Sequence, residues 1–251
     1  MTIKFCVTLT SIPSRIKNLN KVINSIENQS LKPDKIFLNI PTLYKRFPND
    51  RVSNEDIKKL NNSIIEITRC DDFGPGTKLL GSLNKIVKYD TAIIIDDDSI
   101  YHRDFCKILI GEYLKNQDQC YSFYLNKIFN IKMGQFVDGL ILNTKHLDKI
   151  EDFFNKYVLN NYNMFFDDDL WFAIYIQLIK KKKIDKILDV FQKKTGENVV
   201  FKNLLSDDAL NKSIHGPQKI LNRRKIQKIE YIKFFFKKYF YKSKSLFHFT
   251  K

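Results

Sequence analysis

Glycine and proline are scarce, at 8 and 6 of 251 residues, too few for a collagen-like, low-complexity or turn-dominated chain. The four cysteines, Cys6, Cys70, Cys106 and Cys120, form no Cys-x-x-Cys pair and have no His-rich surround. A zinc site and a disulfide framework are therefore not expected, and the thiols read as reduced, partly buried small hydrophobes in a reducing compartment. No apolar stretch reaches the roughly 20 residues needed for a helix that spans a bilayer. Met1 to Leu9 lacks a charged segment followed by a long apolar one, so no secretory leader is expected. No internal repeat is visible.

What is present suits a substantial core: 43% hydrophobic residues, with 21 Phe and 12 Tyr. The length fits one large domain or a domain with an appendage. The formal net charge of +15 is unevenly spread. Between Pro217 and Lys251 eleven Lys and Arg stand against one Glu. That tail accounts for most of the excess and weakens any reading of the body as a nucleic-acid binder.

Short β-branched runs alternate with helical patterns. Strands are expected at Lys4 to Leu9, Lys35 to Ile40, Ser63 to Thr68 and the run ending at Asp96, with helices through Leu19, Val22, Ile23 and Ile26 and from Thr77 to Val87. Ser53-Asn54-Glu55-Asp56 reads as a helix cap. Further on, His102 to Leu114 reads as a helix, Gln119 to Tyr124 as a strand, Gln135 to Asn143 as a strand interrupted by Asp138-Gly139, and Thr144 to Tyr157 as a helix. This alternation implies an α/β domain with a largely parallel sheet.

The most informative feature is Ile93-Ile94-Ile95-Asp96-Asp97-Asp98. Three carboxylates at the exit of a buried strand call for a counter-charge, and a hard divalent cation prefers such oxygen ligands. An acidic turn capping the next helix is the plainer alternative. A second triplet, Asp167-Asp168-Asp169, opens the apolar run Leu170 to Tyr175, which ends in Lys180 to Lys183; acid first and base last also fit the helix dipole. Lys78 follows Gly74-Pro75-Gly76 and could meet phosphate at a helix N-terminus. Those glycines do not make a Gly-x-x-x-x-Gly-Lys-Ser loop, so an ATPase is not indicated.

Taken in order, Val7-Thr8-Leu9-Thr10-Ser11, Asp71-Asp72, Asp96-Asp97-Asp98, Asp138-Gly139, Asp167-Asp168-Asp169 with Trp171, and His215 resemble the nucleotide-sugar-dependent glycosyltransferases of the GT-A fold. The resemblance covers about Lys4 to Pro217. It implies a GT-A (Rossmann-like) single α/β domain at 1–217, with a mixed, largely parallel central sheet flanked by helices, followed by a basic aromatic helical tail at 218–251. It further implies a nucleoside-diphosphate sugar donor, UDP- or GDP-linked, and a Mn2+ or Mg2+ ion held by Asp98 and Asp96, with Asp96 also facing the ribose and His215 as a further ligand. Asp97 either shares that task or points back into the fold. Thr8, Thr10 and Arg15 look like the nucleotide-side wall, with a strand end and helix cap as the competing reading. Asp72, with Asp71 as competitor, looks like the carboxylate that reads the base. Asp138 and Gly139 are expected to contact a sugar, the Gly allowing close backbone approach. Asp169, with Asp168 second, is expected to deprotonate the acceptor hydroxyl in an inverting reaction. Trp171 either floors the sugar site or belongs to the core.

In the tail, Ile226, Ile229, Ile232 or Lys233, Phe236 and Phe240 recur at helical spacing among Lys and Arg. One reading is docking on an anionic membrane surface from the cytoplasmic side, suited to a glycan, lipid-linked or protein acceptor; the other is a helix packed on the domain. Nucleic acid is disfavoured for want of a reader motif. Two rival classes stand beside the enzyme reading. One is a haloacid-dehalogenase-like phosphatase, which also sets Asp-x-Asp after an apolar strand, although nearer the N-terminus. The other is a non-catalytic membrane- or nucleic-acid-binding module.

Overall fold

Side chains alternate across short β-branched runs, and that period of two lets one sheet bury both faces. The computed structural model describes residues 3–60, 64–187, 201–203 and 220–246. Its central sheet has seven strands: β1 (Phe5–Thr10), β2 (Lys35–Pro41), β3 (Ile65–Cys70), β4 (Thr91–Ile94), β6 (Cys120–Ser122), β9 (Leu140–Asn143) and β10 (Ile184–Lys186). Their order is β10-β6-β9-β4-β1-β2-β3. β1 pairs in parallel with both β2 and β4, β2 with β3, and β10 with β6, whereas β9 is antiparallel to both neighbours. The sheet is therefore mixed and largely parallel, as the sequence implied.

The alternation divides the core. Cys6, Phe37, Ala92, Ile94, Leu140 and Leu142 face one layer, and Val7, Leu9, Ile36, Leu38, Ile93 and Ile141 face the other. The second layer is closed by α1 (Leu19–Glu27) and α5 (Phe105–Tyr113). Leu19, Val22, Ile23 and Ile26 are all buried on α1, matching their helical spacing. The first layer is closed by α3 (Thr77–Leu80), α4 (Leu83–Ile86), α6 (Ile150–Tyr157), α7 (Tyr162–Phe165) and α8 (Asp168–Ile174). At the rim lies α2 (Asn54–Lys58), capped by the Ser53 side chain, which accepts from the Asp56 N–H.

Several boundaries differ from the sequence reading. The single helix expected over Thr77 to Val87 is two, broken at Gly81-Ser82. There a Cβ on Gly81 would collide with Asn39 and Cys70. The run expected to continue to Asp96 leaves the sheet at Ile94, with Ile95 still donating its N–H to the Thr8 carbonyl. The interruption expected at Asp138-Gly139 starts earlier, as a single 3-10 turn over Phe136–Asp138, and only Leu140–Asn143 is strand. Two small ribbons were not foreseen, β5 (Ser99–Tyr101) with β11 (Phe201–Asn203), and β7 (Leu125–Ile128) with β8 (Ile131–Gly134).

The basic tail contains one long helix, α9 (Ile220–Leu246), which lies on the domain. Gln227, Glu230, Tyr231 and Phe234 face inward and are buried. Glu230 accepts from Asn161 and Asn163, and Tyr231 donates to Asn130. The stripe singled out in the sequence therefore does not make the packing face: Ile229, Ile232 and Phe236 are exposed, and the Phe240 side chain lies outside the described residues. Polar residues hold the inward face because buried hydrogen-bonding partners await them, which hydrophobic spacing alone does not reveal. No helix among the described residues is long and apolar enough to cross a membrane.

Gly139 has φ of +80° and lies against the Phe105 ring, where an added Cβ would collide. Strain and overpacking act together at this site, each costing about 1–3 kcal/mol. Gly139→Ala is expected to destabilise the fold by at least about 2 kcal/mol in urea unfolding, and an unchanged midpoint would contradict this packing.

Candidate active site

Because β1 and β4 are parallel neighbours, their carboxyl ends open on one edge and bring Ser11–Arg15 against Asp96–Asp98. Arg15 Nη1 lies 2.7 Å from Asp97 Oδ1 and 3.1 Å from Asp98 Oδ2. Ser11 Oγ donates to Asp97 Oδ2 at 2.6 Å. Asp97 is thus buried with both oxygens engaged within the fold. Arg15, expected on the nucleotide-side wall, is held by these carboxylates. Burial alone would lower its pKa, but Asp97 and Asp98 outweigh that effect and raise it.

Lys78 is buried at the start of α3, and its ammonium joins Asp96 Oδ1 to Asp168 Oδ2, the latter at 2.9 Å. It also sits 4.8 Å from the centre of the Phe136 ring. One cation therefore ties the first aspartate triplet to the second. Desolvation opposes its charge, yet Asp168 and Asp96 raise its pKa.

The three aspartates at α8 have separate surroundings. Asp167 is the N-cap, accepting the Leu170 N–H. It also accepts from Arg223 at 2.9 Å and from Gln227 at 2.7 Å, both on α9. Asp168 is held by Lys78. Asp169 accepts the Phe136 N–H at 3.2 Å and meets Arg223 Nη2 at 3.3 Å. Burial, reinforced by Asp168, pushes the Asp169 carboxyl up to about 8 while Arg223 opposes the shift. Burial also raises Asp168 against the pull of Lys78.

Asp98 keeps one buried oxygen, Oδ1, without a hydrogen-bond partner, and burial with Asp96 and Asp97 pushes its carboxyl up to about 6. The Asp96 side chain is 30% exposed. Hard oxygens at the carboxyl edge of β4, one of them unsatisfied, fit a divalent cation. Among the described residues no cluster of three or more His, Cys, Asp or Glu could by itself hold a metal. His215 lies outside the described residues.

Other residues singled out in the sequence sit differently. The Thr8 hydroxyl donates to the Lys78 carbonyl and the Thr10 hydroxyl to the Asn39 carbonyl, so Thr8 ties β1 to α3 and Thr10 ties β1 to β2. Asp72 accepts the Lys45 and Gly74 N–H groups and shapes the loop after β3, whereas Asp71 is exposed. Asp138 is buried with Oδ2 unpartnered, and desolvation, helped by Asp96, pushes it up to about 7. Gly139 makes its close approach to Phe105, not to an open cleft. Trp171 is core, packed edge-on against Phe154.

The sequence reading missed Arg223 and Gln227, hidden in a tail read only as basic, and Tyr101, whose hydroxyl accepts the Asp96 N–H. It also missed an aromatic and cationic ledge beside the second triplet. The Arg46 guanidinium lies 4.3 Å over the Phe166 ring, and the Lys45 ammonium 4.4 Å over Phe165. Tyr162, 74% exposed, meets Phe166 edge-on at 5.0 Å.

No protein family matches this sequence, nor does any curated protein. Among solved structures, the mannosyltransferase PcManGT of Pyrobaculum calidifontis, in complex with GDP-Man and Mn2+, is similar at a TM-score of 0.55 and 9% identity. The fold is GT-A. The match covers 83% of this chain but only 59% of the mannosyltransferase. Glucosyl-3-phosphoglycerate synthase of Mycobacterium tuberculosis matches at a TM-score of 0.49 and 13% identity, covering 73% of this chain and 68% of its own. TarS of S. aureus, in complex with UDP, matches at 0.45 and 12% identity, covering 67% and 54%.

The buried Asp138 carboxyl gives a pH signature. An ordinary Asp titrates near about 4 in the unfolded chain, whereas here the folded value is about 7. Between those values the native state binds more protons, so this group's contribution to stability falls as pH rises. Asp138→Asn is expected to flatten the decline in urea-unfolding stability between pH 5 and 8. An unaltered slope would show that Asp138 titrates normally.

Proposed function

We propose that this chain is a divalent-metal-dependent glycosyltransferase, moving one sugar from a UDP- or GDP-linked donor to an acceptor hydroxyl with inversion. The observation that carries the reading is the Lys78 bridge, which sets the Asp96–Asp98 cluster beside the acidic start of α8. A donor site and a base are then adjacent, as a displacement at one carbon requires. The GT-A architecture favours this reading over the phosphatase.

Asp98, with its unsatisfied Oδ1, and Asp96 would hold Mn2+ or Mg2+, with His215 as a further ligand. That ion would supply positive charge for the departing diphosphate. Asp169 takes the proton of the acceptor hydroxyl as its oxygen bonds to the anomeric carbon. The bond from that carbon to the diphosphate oxygen breaks, and the diphosphate leaves with the electron pair. Asp169 suits the base because Asp167 is committed as a cap and paired with Arg223 at 2.9 Å and Asp168 is tied to Lys78 at 2.9 Å, whereas Asp169 is held more loosely, by the Phe136 N–H at 3.2 Å and by Arg223 at 3.3 Å. A carboxyl pushed up to about 8 holds its own proton at neutral pH and, once ionised as pH rises through that value, binds a proton more tightly than an ordinary aspartate. Arg223 and Gln227 fix the neighbouring cap and, through Arg223, the Asp169 carboxylate.

Calorimetric titration with UDP and GDP, each with Mn2+, tests the donor site. Asp98→Ala is expected to abolish metal-dependent nucleotide binding, and binding by neither nucleotide in the parent protein would sink the reading. Asp169→Asn should keep that binding but lose roughly 10²–10⁴ in transfer rate, the usual contribution of a general base. Arg223→Gln removes the cation that lowers the Asp169 pKa. The acid limb of kcat/KM against pH should therefore move to higher pH, and Arg223→Lys should restore part of the shift; a stationary limb would separate Arg223 from the base.

A further inference from the structure

Among the described residues, the ledge beside the second triplet holds a cation without a hydrogen-bond acceptor. Arg15, Lys78 and Arg223, the other cations of the site, each meet two carboxylates. Arg46 is half-buried, and among the described residues its side chain makes only the stacking contact with Phe166. A guanidinium has a rigid fork of five N–H donors that matches phosphate or carboxylate in two-point contact, and stacking leaves the edge of that fork open. Burial lowers its pKa, while Asp168 and Asp72 lie close enough to act on its charge. Lys45 adds a second cation over the adjoining ring. Tyr162, 74% exposed, offers a ring face of the kind on which the C–H face of a sugar packs, with Phe166 edge-on beside it. Phe166 directly precedes Asp167, so the ledge adjoins the proposed base.

We propose that the acceptor carries an anionic group, phosphate or carboxylate, on the sugar or polyol that bears the reacting hydroxyl, and that Arg46 receives it while Tyr162 and Phe166 hold the ring or chain. This rests on the glycosyltransferase reading. The anion occupies the open edge of the guanidinium, and the acceptor hydroxyl then points toward Asp169. Arg46 is thereby the residue that sets acceptor specificity.

The test uses the full chain saturated with Mn2+ and whichever of UDP or GDP it binds. Glucose 6-phosphate, glucuronate and glucose are titrated in turn, followed by glycerol 1-phosphate against glycerol. At least one charged compound should bind about tenfold or more tightly than its neutral counterpart, a difference set by charge-assisted hydrogen bonds. Glucuronate against glucose 6-phosphate tells carboxylate from phosphate. Arg46→Gln should remove the preference and leave the nucleotide affinity unchanged, and Tyr162→Ala should weaken charged and neutral compounds alike. Equal binding of charged and neutral compounds by the parent protein overturns the proposal. So does a loss of nucleotide affinity in Arg46→Gln, which would assign Arg46 to the donor diphosphate. Absence of nucleotide binding in the parent protein would instead show that the glycosyltransferase reading itself has failed.

Discussion

The buried ammonium of Lys78 between Asp96 and Asp168 is the contact on which the site depends. Carboxylates at this depth are costly unless a cation faces them, and this cation faces two that lie far apart in the chain. Arg15 does the same for Asp97 and Asp98, and Arg223 for Asp167 and Asp169. Six carboxylates thus share three cations. Burial, reinforced by the remaining negative charge, raises the Asp98 and Asp169 carboxyl pKa values, and that charge suits the site to a metal ion beside a diphosphate.

Much of the frame was legible because it is local. The β-branched runs and the spacing of Leu19, Val22, Ile23 and Ile26 are short-range patterns: the runs became strands of the sheet, and the spacing marked the face of α1 that the structure buries. Both aspartate triplets were visible for the same reason. Their partners were not. Lys78, Asp96 and Asp168 are separated by long stretches of chain, and only the order of the strands says which cation meets which acid. Thr8 and Thr10 looked available for a ligand because a sequence does not show that the carbonyls of Lys78 and Asn39 lie within reach.

Two further misses have physical causes. The β7–β8 ribbon turns at Phe129 with φ of +50°, without the Asn-Gly or Gly that usually announces such a turn. On α9 the apolar spacing pointed to Ile229, Ile232 and Phe236, yet Gln227 and Glu230 face inward with Tyr231 and Phe234. Hydrophobic periodicity assigns a face by transfer free energy, and here hydrogen bonds to Asp167, Asn161 and Asn163 outweigh it.

The seating of α9 bears on how this protein can be handled. A basic, aromatic C-terminal stretch is the part an experimenter would first trim to improve behaviour in solution. Cutting at the start of α9 would take away the guanidinium and the amide that cover Asp167, leaving an uncompensated acid beneath a bare hydrophobic scar where Tyr231 and Phe234 had been. A shortened chain that fails to work would therefore say nothing about membranes. It would report a broken lid over the acidic end of α8.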